Sequence, residues 1–260
     1  MNRIDTLFSR KGENILSVYF TAGFPALNDT VTIIRALETA GAEMIEIGFP
    51  FSDPLADGPV IQHSSEIAIK NGLNLQVLFG QIKRIRDEVK LPLLLMGYLN
   101  PVLQYGVENF CRDSSASGID GVIIPDLPVE MYRRDYKKLF ESYNLHFVPL
   151  VTPLTTDERI REIDSIGSGF IYVVSSASTT GTKPVSEEIL RNLHKRMKGL
   201  NIKSHTLIGF GISNRESFAR ACRYAEGGII GTAYINAIAE TDYIAGATLR
   251  FVRSITADDK

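Results

Sequence analysis

Met44-Ile45-Glu46-Ile47-Gly48-Phe49-Pro50-Phe51-Ser52-Asp53-Pro54-Leu55-Ala56-Asp57-Gly58-Pro59 carries the plan of the chain. Its first five residues are β-rich and apolar except for one glutamate, the next stretch is broken by prolines and small polar residues, and helical spacing begins at residue 61. A short strand, a loop and a helix make one unit, and the same unit recurs on both sides. Strand candidates are Ile15 to Phe20, Met44 to Gly48, Pro92 to Met96, Gly121 to Ile124, Phe147 to Val151, Phe170 to Val174, Thr206 to Ile208 and Gly228 to Ile230. Helix candidates fall near 29–40, 61–70 with 75–88, 103–116, 130–143, 156–165, 186–197, 214–224 and 233–239. Asp29, Thr156 and Ser213, the last with Glu216 at capping-box spacing, read as helix starts.

Eight units in 260 residues average about 32 each, the length of a strand, a crossover helix and two loops. The strands are nearly continuous apolar runs, as parallel strands covered on both faces are. The expected fold is therefore α/β, a single eight-stranded parallel (β/α)8 TIM barrel spanning 1–260 as one domain, with residues 1–10 as a helix plugging its N-terminal end. A doubly wound open sheet is the competitor; it would use fewer strands in this length, and no G-x-G-x-x-G fingerprint is present.

Composition narrows the function. Hydrophobic residues make up 44% and charged residues 22%, which excludes a disordered chain. With 28 Lys and Arg against 30 Asp and Glu, the net charge of −2 offers no global field for nucleic acid or anionic lipid. No apolar run reaches the 18 or so residues of a membrane span, and the first residues lack the apolar core of a signal peptide. Cys111 and Cys222 lie far apart without metal-site spacing, so a reducing, cytoplasmic setting and no metal are expected.

In such a barrel, chemistry collects in the loops after the strands. Glu46 is out of phase with Ile45 and Ile47, so if those two pack under helices, Glu46 points into the barrel mouth. Burial there would raise its pKa toward the range useful for proton transfer; a structural Glu paired with a Lys is the other reading. Asp53 and Asp57, four apart in the stiff loop that follows, suit either acid–base work or plain solvation of the loop. Tyr98 and Asn100 follow the third strand and have groups that can bind a ligand. Gly209-Phe210-Gly211-Ile212-Ser213 and Gly227-Gly228-Ile229-Ile230-Gly231-Thr232-Ala233 each lead into a helix after the seventh and eighth strands, a setting for phosphate. Ser175 to Pro184 is long, small and polar, like a lid or a plain surface loop. The histidines, His63, His146, His194 and His205, do not cluster.

From Glu46 to Gln62, and through Met96-Gly97-Tyr98-Leu99-Asn100-Pro101, Pro125-Asp126-Leu127-Pro128, Gly209 to Ser213 and Gly231-Thr232-Ala233, the chain closely resembles the tryptophan synthase α subunit family. The resemblance implies cleavage of indole-3-glycerol phosphate to indole and glyceraldehyde 3-phosphate, a retro-aldol reaction without a cofactor in this chain. It implies that Glu46 is the acid/base and that Asp57 binds the indole N–H and steadies the indolenine cation. Phe20, Met96, Tyr98 and Tyr172 are expected at the indole, Thr180 in the lid that meets the Asp57 loop, and Gly181, Phe210, Gly211, Gly231 and Thr232 around the phosphate. The implied partner is a pyridoxal-phosphate β subunit in an α2β2 heterotetramer, for which the apolar loop residues Phe49, Pro50, Phe51, Pro54, Leu55 and Pro59 suit a docking rim. A non-catalytic activator of that subunit and a stand-alone indole-releasing lyase are the alternatives. Phe24 and Ala177-Ser178-Thr179 depart from the commoner family pattern.

Overall fold

The computed structural model of the chain describes residues 1–174, 187–209 and 211–256. Its strands are β1 (Ile15–Thr21), β2 (Met44–Gly48), β3 (Leu93–Met96), β4 (Gly121–Ile123), β5 (His146–Phe147), β6 (Leu150–Val151), β7 (Phe170–Val174), β8 (His205–Gly209) and β9 (Gly227–Ile230). They form one sheet in the order β5-β4-β3-β2-β1-β9-β8-β7-β6, with parallel pairing between neighbours. The two ends of that order, β5 and β6, are separated in the chain only by Val148 and Pro149, so the sheet closes on itself.

The expected eight strands thus appear as nine segments, because the fifth breaks at Pro149, which has no N–H to give to a ladder. Hydrogen bonding continues through the break on both sides. Val148 N–H donates to the Val122 carbonyl at 3.0 Å, and the Pro149 carbonyl accepts from Tyr172 N–H at 2.9 Å.

Alternation along the strands separates two cores. Ile15, Met44, Leu94, Ile123, Val148, Phe170, Leu207 and Ile229 fill the barrel. Their neighbours in sequence, such as Leu16, Ile45, Ile47, Leu93, Leu95, Val122, Ile171 and Ile208, pack outward beneath the helices. The helices are amphipathic to match: Leu75, Leu78, Phe79, Ile82 and Ile85 bury one face of 75–85, whose N-cap Asn74 accepts from Val77 N–H at 3.0 Å. Thr156 caps its helix as expected. The cap of helix 215–222 is Asn214, not Ser213, because Asn214 and Ser217 satisfy each other's backbone reciprocally.

The closed end is sealed by helix Arg3–Arg10, which sends Ile4, Leu7 and Phe8 into the barrel cluster. Phe8 stacks on His205 with ring centroids 4.3 Å apart. Asp120, 3% exposed, ties this end together. It accepts from Arg3 Nη1 at 3.0 Å, Arg86 Nη2 at 3.1 Å and Leu93 N–H at 2.9 Å, while its carbonyl accepts from Asn2 Nδ2 at 2.8 Å. Burial pushes the Arg86 guanidinium down to about 10 even beside that carboxylate. Removing the partner of a buried charge costs about 3–5 kcal/mol. Asp120→Ala should therefore lower Tm by roughly 10 °C at about 2–4 °C per kcal/mol, whereas Glu88→Ala, which breaks the exposed pair with Arg35, should leave it nearly unchanged. Equal small shifts in the two melting curves would refute the role given to Asp120.

Candidate active site

Glu46 occupies the inner phase of β2, with Ile45 and Ile47 turned out to the helix layer as the alternation requires. It is completely buried. Oε1 accepts from the Ser17 hydroxyl at 2.9 Å, and Oε2 has no hydrogen-bond partner among the described residues. Among the described residues no lysine or arginine pairs with it, and burial pushes the carboxyl up to about 8, with the Ser17 hydrogen bond pulling the other way. The structural-pair reading of Glu46 is therefore not what the side chain does.

Asp57 lies half-buried in the loop after β2. Tyr98 Oη donates to its Oδ2 at 3.0 Å and itself accepts from Ala56 N–H at 3.0 Å, so the tyrosine clamps the loop to the end of β3. Burial pushes Asp57 up to about 6, opposed by the Tyr98 hydrogen bond. The Tyr98 ring rests on Phe51, with centroids 5.4 Å apart. Asp53, by contrast, is exposed and takes a hydrogen bond from its neighbour Ser52, and Asn100 is exposed.

Two tyrosines bring the carboxylates into one site. Tyr19 on β1 and Tyr172 on β7 both lie within reach of the charges that Glu46 and Asp57 carry when ionised, and burial with that field holds both phenols above their ordinary value. Each ring lies flat over a glycine of the next strand. A Cβ on Gly48 would stand 2.3 Å from the Tyr19 hydroxyl, and one on Gly209 would stand 2.0 Å from that of Tyr172. Any larger residue at either place would clash with an aromatic ring and force it to shift.

Most of the residues expected at the site are brought to this end. Met96, half-buried, ends β3 on the inner face, and Tyr172 belongs to the barrel cluster. Gly211, at φ +71°, follows β8, and Gly231 caps helix 232–239, which Thr232 begins. Gly231 faces Tyr19, whose Cδ1 would lie 3.1 Å from an added Cβ. Thr180, Gly181 and Phe210 fall outside the described residues, as do Ala177-Ser178-Thr179 and the rest of the expected lid.

Two expectations are corrected. Phe20 does not face the mouth: it is fully buried in the outer core, because Ser17, Tyr19 and Thr21 share the inner phase of β1 and Phe20 is out of step with them. Tyr19 takes the place expected for it. Phe49 is likewise no part of an exposed rim; it is 4% exposed and packs edge-on to Phe110 at 6.1 Å. Ser17 and Tyr19 escaped the sequence reading, although a lone serine in the apolar run Ile15-Leu16-Ser17-Val18 was a signal of the same kind as Glu46.

Among the described residues no group of three or more His, Cys, Asp or Glu side chains is placed to hold a metal ion, and no helix is long and apolar enough to cross a membrane. The model of the family described as tryptophan synthase alpha chain matches residues 6–254. The chain is 54% identical over 240 residues to the tryptophan synthase alpha chain of Flavobacterium psychrophilum, covering 92% of this chain and 94% of that one. It is 53% identical over 255 residues to that of Flavobacterium johnsoniae, covering 98% and 100%. In three dimensions it is similar to the crystal structure of the alpha chain from Legionella pneumophila, with a TM-score of 0.87 at 30% identity over 98% of this chain and 96% of the other. The chain belongs to the tryptophan synthase alpha chain family.

Proposed function

We propose that Glu46 and Asp57 carry the family's lyase half-reaction in this chain, the cleavage of indole-3-glycerol phosphate to indole and glyceraldehyde 3-phosphate. The observation that carries the assignment is a pair of carboxyl groups in one mouth whose environments set them apart: Glu46 at about 8 and Asp57 at about 6. At neutral pH Glu46 holds its proton while Asp57 is largely ionised.

That division suits the two halves of a retro-aldol. Glu46 donates its proton to indole C3, and the positive charge that appears on the ring is met by the Asp57 carboxylate at the ring N–H. The carboxylate left at Glu46 then takes the proton of the adjacent side-chain hydroxyl. As it does, the C–C bond electrons return to the ring, the carbonyl of the aldehyde forms, and Glu46 is protonated again. The proton balance closes on one residue, with no cofactor in this chain. Met96, Tyr98, Tyr19 and Tyr172 provide the flat apolar and aromatic walls for the indole. Gly211, Gly231 and Thr232, with Gly181 and Phe210, hold the phosphate by backbone N–H groups and the N-terminus of helix 232–239, binding energy remote from the bond broken.

A pyridoxal-phosphate β subunit is the partner we assign, in an α2β2 assembly to which indole passes. Leu55, 86% exposed, and Leu154, 77% exposed, stand on loops at the mouth, with Pro50, Phe51 and Pro54 half-buried beside Leu55. Docking on this rim would hold the Asp57 loop in place. Free thiols at Cys111 and Cys222 suit a cytoplasmic enzyme.

Glu46→Gln and Asp57→Asn should each cut lyase turnover by at least about 10²-fold with the fold retained, measured as glyceraldehyde 3-phosphate release. Near-wild-type turnover in either variant would remove that residue from the mechanism. Adding the cognate β subunit to the wild-type chain should raise lyase turnover and give co-elution; neither happening would favour a stand-alone, indole-releasing lyase.

The raised carboxyl also makes a stability prediction. Between its ordinary 4.5 and about 8, Glu46 binds more proton in the folded chain than in the unfolded one, so folding loses stability as pH rises through that window. Glu46→Gln, which has no proton to lose, should gain on wild type from about pH 5 to pH 8 and stay at a constant difference below 4.5. Parallel stability curves across the whole range would show that Glu46 titrates normally.

A further inference from the structure

Ser17 is fully buried on the inner face of β1, in a barrel interior otherwise lined by residues such as Ile15, Met44, Leu94 and Phe170. A hydroxyl in such an interior is unfavourable unless it is bonded, and its side-chain partner among the described residues is Glu46 Oε1 at 2.9 Å. The strand register fixes the direction of that bond. Tyr19 pairs with Glu46 and Ser17 with Met44, so Ser17 lies one inward position nearer the closed end of the barrel. Its hydroxyl thus approaches the carboxyl from the closed end and holds Oε1, while Oε2 is buried with no hydrogen-bond partner among the described residues.

We propose that Ser17 is a positioning residue for the lyase reaction, fixing one oxygen of the Glu46 carboxyl so that the other carries the proton to and from the substrate. The proposal rests on the reading of Glu46 as the acid/base. A carboxyl with both oxygens free would rotate between them, and proton transfer needs the donor held within about half an ångström of its productive position. The same hydrogen bond favours the ionised form, so its loss should raise the carboxyl further against burial.

Among the described residues, the ionisable groups facing Glu46 leave the alkaline limb of the pH profile to it. Tyr19 from β1 and Tyr172 from β7 stay neutral, and Tyr98 does so beside Asp57. Asp57 is already ionised above about 6, and the inner residues of β3, Leu94 and Met96, do not titrate.

The test is the pH profile of kcat/KM for glyceraldehyde 3-phosphate release by the full-length chain, in wild type, Ser17→Ala, Ser17→Thr, Glu46→Gln and the double variant. Ser17→Ala should lower kcat about tenfold at neutral pH with KM within about twofold, and move the alkaline limb up by about one pH unit, the worth of a hydrogen bond to a charged group. Ser17→Thr keeps the hydroxyl and should restore both. In the Glu46→Gln background, Ser17→Ala should have no further effect. An unmoved limb, or the same tenfold loss with Glu46 already absent, would overturn the positioning role while leaving Glu46 as the acid/base. Full turnover in Glu46→Gln would overturn both.

Discussion

A carboxyl group sealed inside an apolar barrel, with one hydroxyl as its hydrogen-bond partner among the described residues, is the constraint around which this site is arranged. Taking a carboxylate out of water without a cation is so unfavourable that the group keeps its proton instead. Glu46 is thereby an acid at neutral pH, while Asp57, nearer solvent and hydrogen-bonded to Tyr98, is a base form ready to meet positive charge. One fold thus holds two carboxyl groups in opposite protonation states, chiefly by depth. The chemistry of the family asks for that pair: a proton for ring carbon and an anion for ring nitrogen.

Everything else in the barrel serves to keep that carboxyl deep and that mouth open. The interior layers of Ile, Leu, Met and Phe exclude water below Glu46, and the plug helix with Phe8 and Ile4 seals them from the other end. Asp120 locks the plug to β3 and to Arg86, so stability is concentrated at the closed end while the loops at the mouth are left to function. Gly48 and Gly209 let Tyr19 and Tyr172 lie across their neighbouring strands, giving the pocket aromatic walls without filling it.

The repeat of strand, loop and helix was legible from the sequence because each strand is a short apolar run closed by proline or glycine. The inward turn of Glu46 follows from period two once Ile45 and Ile47 are placed under the helices, as they are here. The same rule on β1 puts Ser17, Tyr19 and Thr21 in the inner phase and Phe20 in the outer one, so phase and not aromatic character decides which of these residues reaches the mouth. The Ser17 contact depends on register between strands 29 residues apart, which no local pattern encodes. Phe49 misled for a different reason: an aromatic in a proline-rich loop looks exposed until Phe110, from a helix far along the chain, is seen to cover it. The break at Pro149 was visible as a residue but not as an interruption, because the hydrogen bonds on both sides run through its neighbours.

Carboxyl-carbon NMR reads the separation of the two carboxyl groups directly. In the full-length chain labelled at Glu and Asp side chains, the Glu46 signal, assigned by its loss in Glu46→Gln, should titrate near 8, and the Asp57 signal near 6. Both titrating together in the ordinary carboxylate range of about 4 would contradict the account, because neither proton donor nor selective anion would then exist at neutral pH.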